Sequence, residues 1–365
     1  MSNSKTVLII NNGTSGLYGF RRELIEELVK RCRVVLLAHE NGNRAELEAM
    51  GCVFVEQPME SHGTNPLREL SLVRQYRARI REIKPDLVLT YTIKPNVYGG
   101  MACAALGVPY VPNITGLGTA VENGGLIQKV TIPLYRFGLR KAQKVFFQNE
   151  ENRAFMLRHH MLRSPSDLLP GSGVNLERFP LLPYPEGETV DFCFISRLMK
   201  EKGIEQYLDA AEAIHAGHPE TRFHLYGSGG DSYKARIEAL EKKGAVVFHG
   251  YAKDVLGVHR GSCCTVHPTY YPEGMSNVLL ESCACGRPII TTDRAGCREI
   301  VDDGVNGFVV RQRDSADLIE KLERFLTLSR EERQRMGLAG RAKVEREFDR
   351  RIVVGKYLEE LPDGL

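Results

Sequence analysis

Four charged side chains carry most of the chemistry legible in this sequence: Arg197, Lys202, Glu273 and Glu281. The glutamates stand eight positions apart in PTYYPEGMSNVLLESCACGRP, Glu273 in a Pro/Gly-rich loop and Glu281 in the apolar run that follows. Helical pattern starts near Ser276 or Asn277, so the N–H groups of Met275, Ser276 and Asn277 stand at a positive helix end suited to a phosphate or sugar oxygen. Arg197 and Lys202 fall in ISRLMKEKG, after a predicted strand and before a helix, where a guanidinium fork and a mobile ammonium suit a diphosphate. A solvated basic loop is the plainer reading of that stretch alone. Two carboxylates this close could be the acid/base pair of a glycosidase, bracketing a bond at about 5–5.5 Å or 6.5–9.5 Å. They could instead hold hydroxyls beside a bound anion, and only that second chemistry has a use for Arg197 and Lys202.

Glycine-rich strand ends add weaker signals. LYGSGGD places Gly227 and Gly229 after one strand, and FHGY places His249 and Gly250 after the next, at the edge where a chain can approach a ligand closely. In the first half, NNGTSGLYG spaces Gly13, Gly16 and Gly19 as GxxGxxG between a strand and a helix. A tight turn explains that spacing as well as a ligand loop does. Glu40, beyond the second strand, leaves a dinucleotide-binding dehydrogenase as a further reading.

These residues need a frame. Apolar runs VLII, VVLLA, VFV, DLVLT, PYVPN and KVFFQ alternate with helical patterns through residue 148, and FCFI, RFHLYG, AVVFHG, CCTVH, PIITT and GFVV repeat the alternation from residue 192. Continuous apolar strands separated by helices predict parallel sheets covered on both faces. Between the two series, LLPGSGVNLERFPLLPYPEGE carries four prolines and reads as a linker. The fold class is therefore α/β, with two doubly wound Rossmann-like domains facing across a cleft: 1–172, a linker at 173–189, and 190–349. A last helix at about 350–365 has room to pack back on the first domain. Ligands of open α/β sheets bind beyond the carboxyl ends of the strands.

Composition excludes several classes. With 42% hydrophobic and 26% charged residues and a net charge of +3, the chain reads as an ordinary globular protein rather than a disordered one. No apolar run approaches the roughly 20 residues that span a bilayer, and MSNSKTVLII leads straight into a strand, so a cytoplasmic chain is expected. Nine cysteines, scattered and without CxxC spacing, read as small buried residues in a reducing compartment. Residues 1–175 hold 22 Lys+Arg against 15 Asp+Glu, and 176–365 hold 27 against 31. The first half thus favours an anionic partner, a phosphorylated substrate or an acidic membrane; no nucleic-acid motif is present.

Taken together, SRLMKEKG, YGSGGD, HGY, the Glu-x7-Glu of EGMSNVLLE and ACGRPIITTDRAGCREIVDDGVNGFVV resemble the GT-B glycosyltransferases of family 4 over nearly the whole chain. The first domain, through TYTIKPNVYGG and YVPNITGLGTAVENGG, is similar to bacterial enzymes that extend polyprenyl-diphosphate-linked glycans for capsule, O-antigen or protein glycans. The resemblance implies a retaining, metal-independent hexosyltransferase, without cofactor, whose second domain binds a nucleotide sugar, a UDP-sugar by expectation, and whose first binds the acceptor. It implies that Arg197 and Lys202 neutralise the departing diphosphate, that Glu281 holds the ribose and that Glu273 holds the transferred sugar. Met275, Ser276 and Asn277 would complete the phosphate cradle, with Gly16 closing over it from the first domain. The family often has proline where this chain has Ser276, and serine is a good helix N-cap.

On the acceptor side, Lys94, Asn96, Tyr98, Asn113 and Thr115 fall at predicted strand ends and are the candidates. LIQKVTIPLYRFGLRKAQKVFF mixes Lys129, Arg136, Arg140, Lys141 and Lys144 with apolar residues. Such a helix suits the cytoplasmic face of the inner membrane as a peripheral contact, although a helix packed on the sheet with a basic outer face has the same pattern. Gly124 and Gly125 suggest that the preceding loop moves. Two other functions stay open: a nucleotide-sugar epimerase of the same shape, and a non-catalytic nucleotide-sugar-binding protein.

Overall fold

The computed structural model describes residues 5–58, 66–118 and 125–363. The chain divides into two compact units, residues 1–172 with 350–365, and residues 173–349.

The first unit is built on a seven-stranded sheet in the order β3-β2-β1-β4-β5-β6-β7. Its strands are β1 (Thr6–Gly13), β2 (Arg33–His39), β3 (Val53–Glu56), β4 (Leu87–Tyr91), β5 (Tyr110–Ile114), β6 (Val145–Phe147) and β7 (Ser166–Leu168). Every neighbouring pair is parallel. The continuous apolar runs follow from this burial on both faces. Val7 and Ile9 of β1 enter one core cluster, while Leu8 and Ile10 enter another on the opposite side. Each such side chain, once fully buried, contributes about 1.5–3 kcal/mol. The helix Arg350–Leu358 belongs to this unit: Arg350 pairs with Glu23 at 2.7 Å, and the Tyr357 hydroxyl accepts from Asn113 Nδ2 at 2.7 Å.

The second unit has a six-stranded parallel sheet, β10-β9-β8-β11-β12-β13. These are β8 (Val190–Ile195), β9 (Thr221–Tyr226), β10 (Val246–Gly250), β11 (Cys264–His267), β12 (Ile289–Thr292) and β13 (Gly307–Val310). The strand order reverses between β8 and β11, so a crevice opens beyond their carboxyl ends. Phe192 and Phe223 stack at 4.9 Å beneath the helices Ile204–Gly217 and Ser315–Leu326.

The Pro/Gly-rich stretch read as a linker is fastened to the second unit. Val174 pairs with Asp349, and Phe179 and Tyr184 are buried. Buried coil must find donors for its carbonyls, and three arginines supply them. Arg287, fully buried, donates to Pro183 O at 2.7 Å and Leu182 O at 3.3 Å; Arg330 donates to Tyr184 O and Pro185 O; Arg341 donates to Phe179 O. Composition registers the prolines but not the arginines, which come from more than a hundred residues away.

All nine cysteines are free and buried. Burial pushes the thiols of Cys52, Cys103, Cys283, Cys285 and Cys297 up to about 12, which keeps them as unreactive thiols.

Candidate functional site

Charged and polar groups converge at the carboxyl ends of β8 and β11. After β8 the chain passes Arg197 and enters a 3-10 turn, Lys200–Lys202, then reverses at Gly203 into the helix Ile204–Gly217. Gly203 has φ +81°, and a Cβ there would lie 2.2 Å from the Pro268 carbonyl. The turn is thereby pressed against the exit of β11. Two bonds tie them: Tyr270 N donates to Glu201 O at 2.9 Å, and Thr269 Oγ1 to the same oxygen at 3.2 Å. Thr292 Oγ1 in turn donates to Thr269 O at 2.5 Å, and Ser276 N to Gly296 O at 2.8 Å, so the loops after β11 and β12 brace each other.

This bracing brings Lys202 onto Glu273, 71 positions away in sequence. Lys202 Nζ donates to Glu273 Oε1, with only 10% and 18% of the two side chains exposed. A cation held this deep requires a partner, and here the partner is the carboxylate expected at the transferred sugar. Tyr271 lies beside both basic groups: its ring centroid is 4.7 Å from Lys202 Nζ and 5.4 Å from Arg197 Cζ. Behind the pair sits His267, 2% exposed, with Nε2 4.0 Å from Glu273 Oε1 and neither ring nitrogen hydrogen-bonded. Burial, and then the Lys202 charge, lowers its pKa to about 3, so the imidazole is neutral and its approach to Glu273 is not an ion pair.

The helix predicted after the loop runs Asn277–Ala284, with Ser276 at the N-cap position. Its hydroxyl makes no cap bond, and no acidic residue occupies the first turn. Met275 and Ser276 are buried, and Asn277 Oδ1 is a buried acceptor without a partner. Glu281 lies half-buried in the second turn.

The glycine-rich strand ends turn out differently. A Cβ at Gly227 would lie 1.9 Å from the Ser196 carbonyl, so this glycine is required by the chain's own loop before any ligand is considered. Gly229 follows in the same turn, and Gly250 O accepts from Gly227 N at 2.8 Å, joining the ends of β9 and β10. His249 belongs to a side-chain network across three strands. It stacks on Tyr226 at 4.3 Å and its Nε2 lies 2.9 Å from His224 Nδ1, whose Nε2 is 2.8 Å from Asp191. Burial and the neighbouring His224 lower its pKa.

In the first unit the candidates separate. Asn96 and Asn113 are buried and bonded: Asn96 Oδ1 accepts from Thr90 Oγ1 and Asn96 Nδ2 donates to Asn113 O, both at 2.7 Å. The Asn96 amide joins a π-helical turn, Pro95–Gly99, to β4 and β5, whereas the Asn113 amide donates to the Tyr357 hydroxyl. Lys94 pairs with Glu69 at 3.0 Å. Burial, and then Glu69, holds the Tyr98 hydroxyl well above its usual pKa. Thr115 is half-buried. Gly16 is inside the helix Thr14–Val29 rather than in a loop, because β1 runs directly into that helix at Gly13. Asn41 Oδ1 already accepts from Ser15 N at 2.9 Å at the start of this helix. Gly124 lies outside the described residues.

Sequence reasoning missed Tyr271 and His267. Nothing in PTYY distinguishes its tyrosines, yet Tyr270 takes Arg313 at 4.6 Å while Tyr271 takes Arg197 and Lys202. Among the described residues no three His, Cys, Asp or Glu side chains form a metal-holding group.

Two α/β units of this kind, each built on a parallel sheet, have the architecture of the GT-B glycosyltransferases. Comparison agrees: a glycosyl transferase 4-like family model matches residues 7–149 and a glycosyl transferases group 1 model matches residues 184–343. One glycosyltransferase model thus falls on each unit, and the chain is a glycosyltransferase. Over 96% of both chains it is 23% identical to the N,N'-diacetylbacillosaminyl-diphospho-undecaprenol alpha-1,3-N-acetylgalactosaminyltransferase of Campylobacter jejuni. It is 30% identical to the putative glycosyltransferase EpsD of Bacillus subtilis over 42% of this chain and 44% of that one. Among solved structures it is similar to Anabaena HepE in complex with UDP and glucose, with TM-score 0.78 and 18% identity over 98% of this chain and 100% of that one. Sucrose-phosphate synthase of Thermosynechococcus elongatus gives TM-score 0.76 at 19% identity, over 97% and 98% of the two chains.

Proposed function

We propose that this glycosyltransferase moves a hexose from a UDP-sugar to a polyprenyl-diphosphate-linked glycan with retention of anomeric configuration, and that it needs no metal or other cofactor. The observation that carries the reading is the buried Lys202–Glu273 pair with Arg197 alongside, at the β8/β11 switch point. Support for the donor comes from HepE, whose complex holds UDP and glucose, and for the acceptor from the Campylobacter relative, named for an undecaprenol-diphosphate glycan.

Breaking a sugar–diphosphate bond develops negative charge on the leaving phosphate and oxocarbenium character on the sugar. Fixed cations at the phosphate therefore stabilise the transition state more than the ground state. Arg197 and Lys202 supply that charge, and the N–H groups at Met275 and Asn277 extend the cradle, the Ser276 N–H between them being taken by Gly296 O; Glu281 takes the ribose hydroxyls and Glu273 the sugar hydroxyls. The leaving phosphate accepts the proton of the attacking hydroxyl on the same face. Incubating a panel of UDP-sugars with and without a polyprenyl-diphosphate glycan tests this. Acceptor-dependent UDP release is expected; epimerised donor, or binding without turnover, would overturn it in favour of the two other functions.

We further infer that the enzyme rests on the cytoplasmic face of the inner membrane. The helix Gly125–Leu139 buries Tyr135 and Leu139 against the unit and turns Lys129, Val130 and Phe137 outward, with Val130 62% and Phe137 55% exposed; Arg140 and Lys141 follow it, also exposed. Arg140 lies 5.8 Å from the Phe137 ring. No helix among the described residues is long and apolar enough to cross a membrane. Apolar side chains between cations suit an anionic interface, where each cation contributes about 1 kcal/mol. Co-sedimentation with phosphatidylglycerol vesicles is expected to exceed that with phosphatidylcholine vesicles and to fall about tenfold in Phe137→Glu; equal partition on both lipids would refute the contact.

A further inference from the structure

Tyr271 is the side chain that Arg197 and Lys202 share, and the donor site described above assigns it no task. Its ring centroid lies 4.7 Å from Lys202 Nζ and 5.4 Å from Arg197 Cζ, both within the range at which a cation is drawn to an aromatic face. The ring is half-buried, and its backbone N–H is fixed by Thr269 Oγ1 at 3.2 Å. Thr269 is in turn fixed by Glu201 on the Lys202 turn and by Thr292 at the end of β12. The ring therefore stands on a braced backbone, while the two cations reach it on long, rotamer-rich side chains.

We propose that Tyr271 is a positioning residue that holds Arg197 and Lys202 together as a two-cation receptor for a diphosphate. Two like charges brought side by side repel, and each side chain loses rotamer freedom when it is fixed. A negative aromatic face within reach of both offsets the repulsion and fixes both before the ligand arrives, so less is lost on binding. Arg197 needs this most, because it is exposed and rests against Tyr271, whereas Lys202 also has Glu273. The role belongs to the ring and not to the hydroxyl.

This rests on the diphosphate reading of the site and is separable from it. Calorimetric titration of the full chain with UDP and with uridine is the experiment, on wild type, Tyr271→Phe and Tyr271→Leu. Tyr271→Phe is expected to bind UDP within about twofold of wild type, and Tyr271→Leu about tenfold more weakly, the loss of two partly desolvated cation–π contacts. Uridine, which carries no phosphate, is expected to bind all three alike, which also reports that the leucine variant is folded. UDP affinity unchanged in Tyr271→Leu would overturn the positioning role and leave the diphosphate reading intact. A tenfold loss in Tyr271→Phe as well would move the role to the hydroxyl, and equal losses for uridine and UDP would reduce it to packing; either result overturns the proposal. Wild type that binds neither UDP, GDP nor inorganic pyrophosphate would overturn the diphosphate reading itself.

Discussion

Lys202→Ala is expected to lower sugar transfer about a thousandfold, with the loss in kcat rather than in KM for the donor. Removing one preorganised charge-stabilising group from a water-poor site costs about 10²–10³ in rate, and Lys202 is the most deeply held cation at this site, 8% exposed. Its turn is locked by Gly203 against Pro268 and by two bonds to Glu201, so no neighbouring lysine can be carried into its place. Lys200, the nearest candidate, points instead toward Glu205 at 3.5 Å. Steady-state kinetics on the purified variant, with melting temperature as the control for folding, is the check. Transfer within tenfold of wild type would remove Lys202 from the leaving-group chemistry.

The second large effect is a split between the two glutamates. Glu281→Ala is expected to weaken UDP about tenfold, a hydrogen bond to a charged group lost, whether or not the nucleotide carries a sugar. Glu273→Gln is expected to cut transfer about a hundredfold while binding UDP at least as tightly as wild type does. The reason is its bond to Lys202: the lysine serves the carboxylate and the diphosphate at once, and an amide competes for it less than a carboxylate. Titration with UDP and with the intact donor separates the two variants. Weaker UDP binding in Glu273→Gln would show that the pair supports the diphosphate instead of competing with it.

Much of the frame was legible because fully buried parallel strands write themselves as unbroken apolar runs. VLII, VVLLA and FCFI mark β1, β2 and β8 for that reason. The start of the Asn277 helix was legible too, from a turn-rich loop meeting an apolar periodicity. What spacing could not carry were contacts between distant segments. Lys202 and Glu273 stood out separately, but their union depends on loops that three different strands deliver. Asn96 and Asn113 look alike in the sequence, yet the Asn96 amide is spent on Thr90 and the Asn113 carbonyl, while Asn113 Nδ2 donates to the Tyr357 hydroxyl and its buried Oδ1 has no partner. Ser276 has the right type for a cap, yet Ser276 N is committed to Gly296 and its hydroxyl makes no cap bond. The Gly227 signal has a cause inside the fold as well: the Ser196 carbonyl forbids a side chain there whether or not a ligand approaches.

That last feature bears on how such an enzyme diversifies. With Gly203 and Gly227 each facing a carbonyl at about 2 Å from any added carbon, neither position accepts a side chain without a shift of the backbone beyond β8 and β9. New donor preferences in descendants of this chain have to arise by exchanging side chains on an unchanged trace. Asn277 is one position where such an exchange sacrifices no hydrogen bond of its buried side-chain oxygen, which has no partner. A library seeking altered sugar choice should begin there and leave the loop lengths alone.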